Sequence, residues 1–148
     1  MTADVHRVET PGEREDALDV RRAVFIEEQG VSEEIEIDDR EQESIHFVAY
    51  ADGEPVGAAR LRELDDATGK AERVAVLRSH RGEGFGRRLM TTLEATASDR
   101  GLTEMVLHAQ TRVEEFYAAL GYETTSGEFQ EAGIPHVEMR KSLATDDE

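Results

Sequence analysis

Arg81-Gly82-Glu83-Gly84-Phe85-Gly86 joins a strand-like run, residues 72–77 (ERVAVL), to a segment in which Leu89, Met90, Leu93 and Ala97 recur at helical spacing, with Gly101 at the expected C-terminal cap. Glycines let a backbone curl through positive φ and come close to a ligand. The first turn of a helix leaves N–H groups unpaired and carries partial positive charge. Together these features make a cradle for phosphate, and Arg87 and Arg88 add full charge beside it. A plain strand-to-helix turn is the alternative, but three glycines at alternate positions flanked by arginines argue against it. Residue types rule out two other phosphate loops. A dinucleotide G-x-G-x-x-G beginning at Gly82 would need glycine where Arg87 stands, and the chain has no G-K-[ST] for a nucleotide triphosphatase.

The rest of the chain places this loop in a domain. Thr10-Pro11-Gly12-Glu13 has the form of a capping box with proline at the first helical position, so a helix starts there. Its apolar face is Ala17, Val20 and Val24, with Phe25 alongside, and it ends near Gln29-Gly30. The acidic residues 31–43 have weak periodicity and read as loop or short helix. Residues 45–51 (IHFVAYA) and 55–62 (PVGAARLR) read as strands joined by a hairpin turn at Asp52-Gly53, and 65–70 as a second turn before the strand 72–77. Residues 104–110 (EMVLHAQ) read as a buried strand. Thr111-x-x-Glu114 reads as a second capping box, opening a helix over 112–120 that Gly121 ends. Residues 122–126 and 136–141 read as closing strands around the turn 127–135. The order predicts a single α/β domain with a mixed sheet over 1–143, and a frayed acidic tail at 144–148.

Composition narrows the function classes. The 148 residues suit one core, and no run approaches the ~20 apolar residues of a membrane span. The first residues mix acids and bases without an apolar run, so a leader is not indicated and a cytoplasmic location is expected. Cysteine is absent, which removes disulfides, thiolate metal sites and a thioester on the enzyme. No histidine pair has metal-ligand spacing, so no metal is expected. The net charge of −17, from 34 acids against 17 bases, makes nucleic acid an unfavourable partner. Because the acids are scattered along the whole chain, they read as adaptation to a salt-rich cytoplasm. An acidic surface that attracts cationic substrates is the rival reading.

The loop RGEGFG resembles the R/Q-x-x-G-x-G/A signature of the GNAT acetyltransferases, in its place after a strand and before a helix. The element order is similar over nearly the whole chain, and FYAALGY resembles the family's F-Y-x-x-x-G-[FY] segment. VFIEEQG and AGIPHVEM look like the small ElaA-type branch. The resemblance implies a mostly antiparallel sheet flanked by helices, in which two central parallel strands, ERVAV and MVLHAQ, splay apart around acetyl-coenzyme A. It further implies that main-chain groups of Val74 and Val76, with Ala75 between them, line the pantetheine arm. Arg81, Gly82, Gly84, Phe85, Gly86 and Arg87 would line the phosphate site, and a nearby amide would polarise the thioester carbonyl.

An amine acceptor is protonated at neutral pH, so a base must free it. Glu72, entering the strand, is the first candidate, with Glu28, His46 and His108 as alternatives; each also reads as an ordinary structural residue. The departing thiolate needs a proton, and Tyr117 matches the family's general acid, although its helical spacing with Val113, Phe116 and Leu120 would also suit core packing. The expected reaction is direct acetyl transfer to a small-molecule or peptide amine in a ternary complex. A non-catalytic acyl-coenzyme A binding module or sensor is the alternative. Dimers are common among similar proteins, which leaves a homodimer open.

Overall fold

The structure, a computed structural model, describes residues 2–33 and 43–143. Most of the acidic segment 31–43 and the whole tail 144–148 lie outside the described residues, and with them the expectations placed there. Strand β1 (Ala3–Arg7) leads to helix α1 (Pro11–Arg21). The Thr10 side-chain oxygen accepts from the Glu13 N–H at 3.1 Å and so satisfies one orphan donor of the helix start, and the Glu13 carboxylate reaches back past the cap to accept from the Glu9 N–H at 2.8 Å. The helix then widens into a π-helical stretch, Arg22–Glu28, and the Gln29 N–H donates to Val24 O at 3.2 Å.

Three antiparallel strands follow: β2 (Ile45–Ala51), β3 (Glu54–Glu63) and β4 (Thr68–Val76). Asp52 and Gly53 both take positive φ, +51° and +85°, the I′ geometry that Asp-Gly favours. Strand β4 begins four residues earlier than the sequence suggests. Asp65 closes the preceding turn by accepting from the Ala67 and Thr68 N–H groups at 2.9 and 2.8 Å, and Thr68 is already extended. Helix α2 (Phe85–Asp99), strand β5 (Glu104–Gln110), helix α3 (Glu114–Ala119) and strands β6 (Glu123–Thr124), β7 (Phe129–Glu131) and β8 (Ile134–Ser142) complete the described chain. Two expectations are corrected here. Thr111 caps nothing, because residues Thr111–Val113 wind into a 3₁₀ turn and α3 starts only at Glu114. The presumed turn 127–135 contains β7, which folds back on β8 through Ala132 and Gly133, both at positive φ.

The sheet order is β1-β2-β3-β4-β5-β8-β6, with β7 also on β8, and every neighbouring pair is antiparallel except β4 and β5. Alternation puts successive residues on opposite faces. One face carries Phe47, Leu61, Met105, Leu107 and Met139 against Phe85, Leu89, Met90 and Leu93 of α2. The other carries Val48, Ala58 and Ala75 against Ala17, Val20 and Val24 of the first helix. Leu93 is fully buried, so cutting it to alanine would cost about 2–5 kcal/mol. These two layers hold the central strands from both sides and fix the place where they part.

Candidate active site

Strands β4 and β5 pair only from Thr68 opposite Glu104 to Ala71 opposite Leu107. Past that point β4 stays with β3 as far as Val76, and β5 stays with β8 as far as Gln110, so the two strands diverge and leave a V-shaped gap. A bulge bends β4 away: its register against β3 slips between Ala58 and Arg60, and Arg73 sits at φ +58°. The Leu77 N–H donates to Val56 O at 2.8 Å on the β3 side. By the two-residue alternation the main chain of Val76 faces the gap, and its carbonyl accepts from Arg81 Nε at 2.9 Å.

Beside the gap lies the glycine loop. Gly82 and Gly84 take φ of +82° and +92°, a region that side-chain-bearing residues rarely adopt, and a Cβ at either would meet nothing within 4 Å. Gly84 is the N-cap of α2 and supplies no side chain to it, so the first N–H groups of the helix lack a side-chain partner. Gly86 is there for closeness, since a Cβ on it would stand 3.1 Å from the Phe116 ring. Gap and loop open into one cavity of about 650 Å³. Its wall holds Glu72, Val74, Ala75 and Val76 from β4, Arg81, Gly82, Gly84, Phe85, Gly86 and Arg87 from the loop and α2, and Tyr117 from α3.

The side chains within this group differ in what they have left to offer. Arg81 forks onto Glu28 at 2.7 and 2.8 Å, so its charge is already engaged. Hydrogen bonds from Arg81, helped by Arg78, hold the Glu28 carboxyl down at about 2. Arg87, exposed at the start of α2, is the cation that faces the loop without a recorded partner among the described residues. Glu72 meets Arg60 at 2.7 Å, Arg62 at 3.2 Å and Lys70 at 3.3 Å. Burial alone would raise its carboxyl, but the hydrogen bonds and charges of those cations outweigh burial and hold it at about 2. A carboxylate so stabilised is a poor acceptor for a proton, which counts against the first candidate for the base. His46 is buried on β2 and does not line the cavity.

Tyr117 packs edge-on against Phe116 and Tyr122 and belongs to the core cluster. Tyr122 donates its hydroxyl to Glu94 at 2.7 Å, whereas the Tyr117 hydroxyl has no hydrogen-bond partner among the described residues. A buried hydroxyl left unpaired against a cavity is suited to a ligand atom. Burial pushes the phenol up, so it keeps its proton throughout the neutral range.

Sequence reasoning missed two contributions. Gln29, next to the π-helical stretch, accepts from Gln110 of β5 at 2.9 Å and so ties the first helix to the far lip of the gap. Glu131, the last residue of β7, accepts from His108 Nδ1 at 2.8 Å inside the cavity. Its signal was hidden because the strand that carries it is three residues long and had been read as a turn. Among the described residues no group of three or more acids and histidines stands ready to hold a metal ion, and no helix is long and apolar enough to cross a membrane.

Comparison with known proteins agrees with this architecture. Residues 9–143 match the family model described as an acetyltransferase (GNAT) domain. The uncharacterized N-acetyltransferase YjcF of Bacillus subtilis is 48% identical over 127 residues, which is 85% of this chain and 90% of that protein. The crystal structure of Escherichia coli ElaA covers 95% of this chain and 98% of its own, with a TM-score of 0.80 and 26% identity. An aminoglycoside 6′-N-acetyltransferase complexed with coenzyme A covers 100% of both chains at a TM-score of 0.77; at 19% identity this is a likeness of fold. The parted strands, the glycine loop and a family match over nearly the whole length lead to one conclusion: the chain belongs to the GNAT acetyltransferases and, as an N-acyltransferase, resembles the small ElaA-type branch.

Proposed function

We propose that this domain, residues 1–143, moves an acetyl group from acetyl-coenzyme A to a primary amine while both are bound. The observation that carries the reading is the gap between β4 and β5 opening beside the bare start of α2, in one cavity with the unpaired Tyr117 hydroxyl. The fold shared with a coenzyme A complex supports the choice of carrier. Backbone N–H groups at Gly84 and the first turn of α2, with Arg87, would hold the diphosphate. The Val76 main chain, turned toward the gap, would guide the pantetheine arm, and its N–H is placed to donate to the thioester oxygen as negative charge grows there. Once a base has taken a proton from the acceptor ammonium, its nitrogen bonds to the acetyl carbon and the carbon–sulfur bond breaks. Tyr117 gives its hydroxyl proton to the departing sulfur, and the second proton that the nitrogen sheds on becoming an amide returns by way of solvent to restore the phenol. With no cysteine in the chain, a thioester-linked enzyme is not available, and direct transfer is the expected scheme.

Calorimetry with coenzyme A, followed by an amine panel in molar salt with acetyl-coenzyme A and a thiol read-out, tests this. Binding with thiol release on addition of one amine class, and intersecting lines in two-substrate kinetics, are expected. Binding without release for any amine would favour the sensor module, and no binding at millimolar coenzyme would remove both readings.

A further inference from the structure

Where β4 and β5 part, the register sets two side chains opposite one another. Ala71 and Leu107 are the last pair, so Glu72 and His108 are the first residues past the fork, on the same face of the sheet and both in the cavity wall. Glu72 is spent on Arg60, Arg62 and Lys70. His108 has one partner. Its Nδ1 lies 2.8 Å from Glu131 Oε1, and since an ionised carboxylate can only accept, the proton of that bond belongs to Nδ1. The Glu131 carboxyl is held below its usual range, chiefly by this hydrogen bond, which keeps it ionised. The lone pair of the neutral ring is thereby placed on Nε2, which has no hydrogen-bond partner among the described residues.

We propose that His108 is the base that takes the proton from the acceptor ammonium, and that Glu131 is its positioning residue; this rests on the acetyl-transfer reading above. The hairpin supplies the positioning. Ala132 and Gly133 turn the chain so that Glu131 faces Ile134, β8 carries that hairpin along β5, and the Phe129 ring stands edge-on to the imidazole at 5.1 Å. The ring is therefore held by a hydrogen bond at Nδ1 and by an aromatic edge contact. Other histidines of the cavity lack this arrangement. His136 lies face-on to Phe129, 7% exposed, and meets the Ile134 carbonyl; among the described residues no carboxylate is hydrogen-bonded to its ring. His80 meets the Ser79 hydroxyl. The charged and titratable groups around His108 among the described residues are Glu131 from β7, Glu138 and His136 from β8, and Lys70 and Glu72 from β4. Glu131 alone of these bonds to the ring.

In the step itself Nε2 gains the proton, the amine nitrogen keeps the electron pair of the broken N–H bond for attack, and the imidazolium formed is balanced by the Glu131 carboxylate. The ring returns its proton to water. The experiment compares wild type with His108→Gln, His108→Asn and Glu131→Gln. His108→Asn keeps a donor directed at Glu131 without a titrating nitrogen. Two read-outs are taken. Imidazole nitrogen NMR, assigned by the resonance missing in His108→Gln, is expected to show the Nδ1–H tautomer in wild type and its loss or mixing in Glu131→Gln. That read-out needs no acceptor. In turnover, both His108 variants should lose about 10²-fold or more in kcat/KM and the acid limb of its pH profile, with coenzyme affinity kept. Glu131→Gln should move that limb to lower pH, as its imidazolium lacks an anionic neighbour, and rates should recover in Glu131→Asp. An Nε2–H tautomer in wild type, or His108 variants within about threefold of wild type with the limb intact, overturns the base assignment while acetyl transfer stands. The expected tautomer in a wild type that binds coenzyme but acetylates no amine overturns acetyl transfer itself, and the base role with it.

Discussion

Tyr117 and Tyr122 sit five positions apart, pack edge to face, and differ in one hydrogen bond: Tyr122 donates to Glu94, and Tyr117 has no such partner among the described residues. Tyr117→Phe keeps the ring and deletes the free hydroxyl, so kcat should fall by about 10²-fold while coenzyme affinity and melting temperature hold. Equal turnover in the variant would make Tyr117 a packing residue. At this scale the sequence was legible where a local motif carried the message. FYAALGY pointed to Tyr117, and the glycine spacing pointed to the loop. It was mute where the partner comes from another strand. Nothing near Glu72 in sequence announces that Arg60 and Arg62, twelve and ten residues earlier, will stand across the ladder from it. Glu131 was hidden for the same reason, its meaning lying in a histidine 23 residues away.

Among the elements, the sequence reading of β4, residues 72–77, begins four residues late and ends one residue late. Thr68, Gly69 and Lys70 follow an Asp-Asp turn and look like its continuation, yet they make the parallel pairing with β5 from which the gap starts. Gly69 belongs in the strand because a Cβ there would come within 2.9 Å of Leu102. The same strand carries the Glu72 ion cluster, which sets a pH dependence. Its carboxyl falls from an ordinary 4.5 to about 2 on folding, so its contribution is fully present above about 4.5 and is lost as pH falls toward 2. Glu72→Gln leaves buried cations without their anion and should cost about 3 kcal/mol at pH 7. The difference between variant and wild type in urea midpoints should shrink steadily between pH 4.5 and 2.5. A difference that stays constant across that window would show the cluster to be energetically idle.

For the whole molecule, a formal charge of −17 on 148 residues means self-repulsion that packing must overcome. Counter-ions at molar concentration shrink the range of that repulsion to about 3 Å. Melting temperature should therefore climb between low-salt buffer and molar potassium chloride; a flat profile would refute salt adaptation and return the acids to substrate attraction. The general architecture could be read from element order and turn chemistry, because those are local. The depth and walls of the cavity could not, because they depend on which strands stop pairing.

The parting of β4 and β5 leaves, in the middle of an otherwise continuous sheet, two lengths of backbone with no strand paired on one side among the described residues. Such borders are where foreign strands add themselves, and proteins normally blunt them with charge or cover. Here the border faces the cavity, so an extended amide-bearing arm entering between the strands would serve as a surrogate strand. On the acetyl-transfer reading the carrier would be both reactant and missing piece of the sheet, and product release would reopen the seam at each turnover. In strong brine, where like charge no longer keeps copies apart, a carrier lying in the seam would be what guards it.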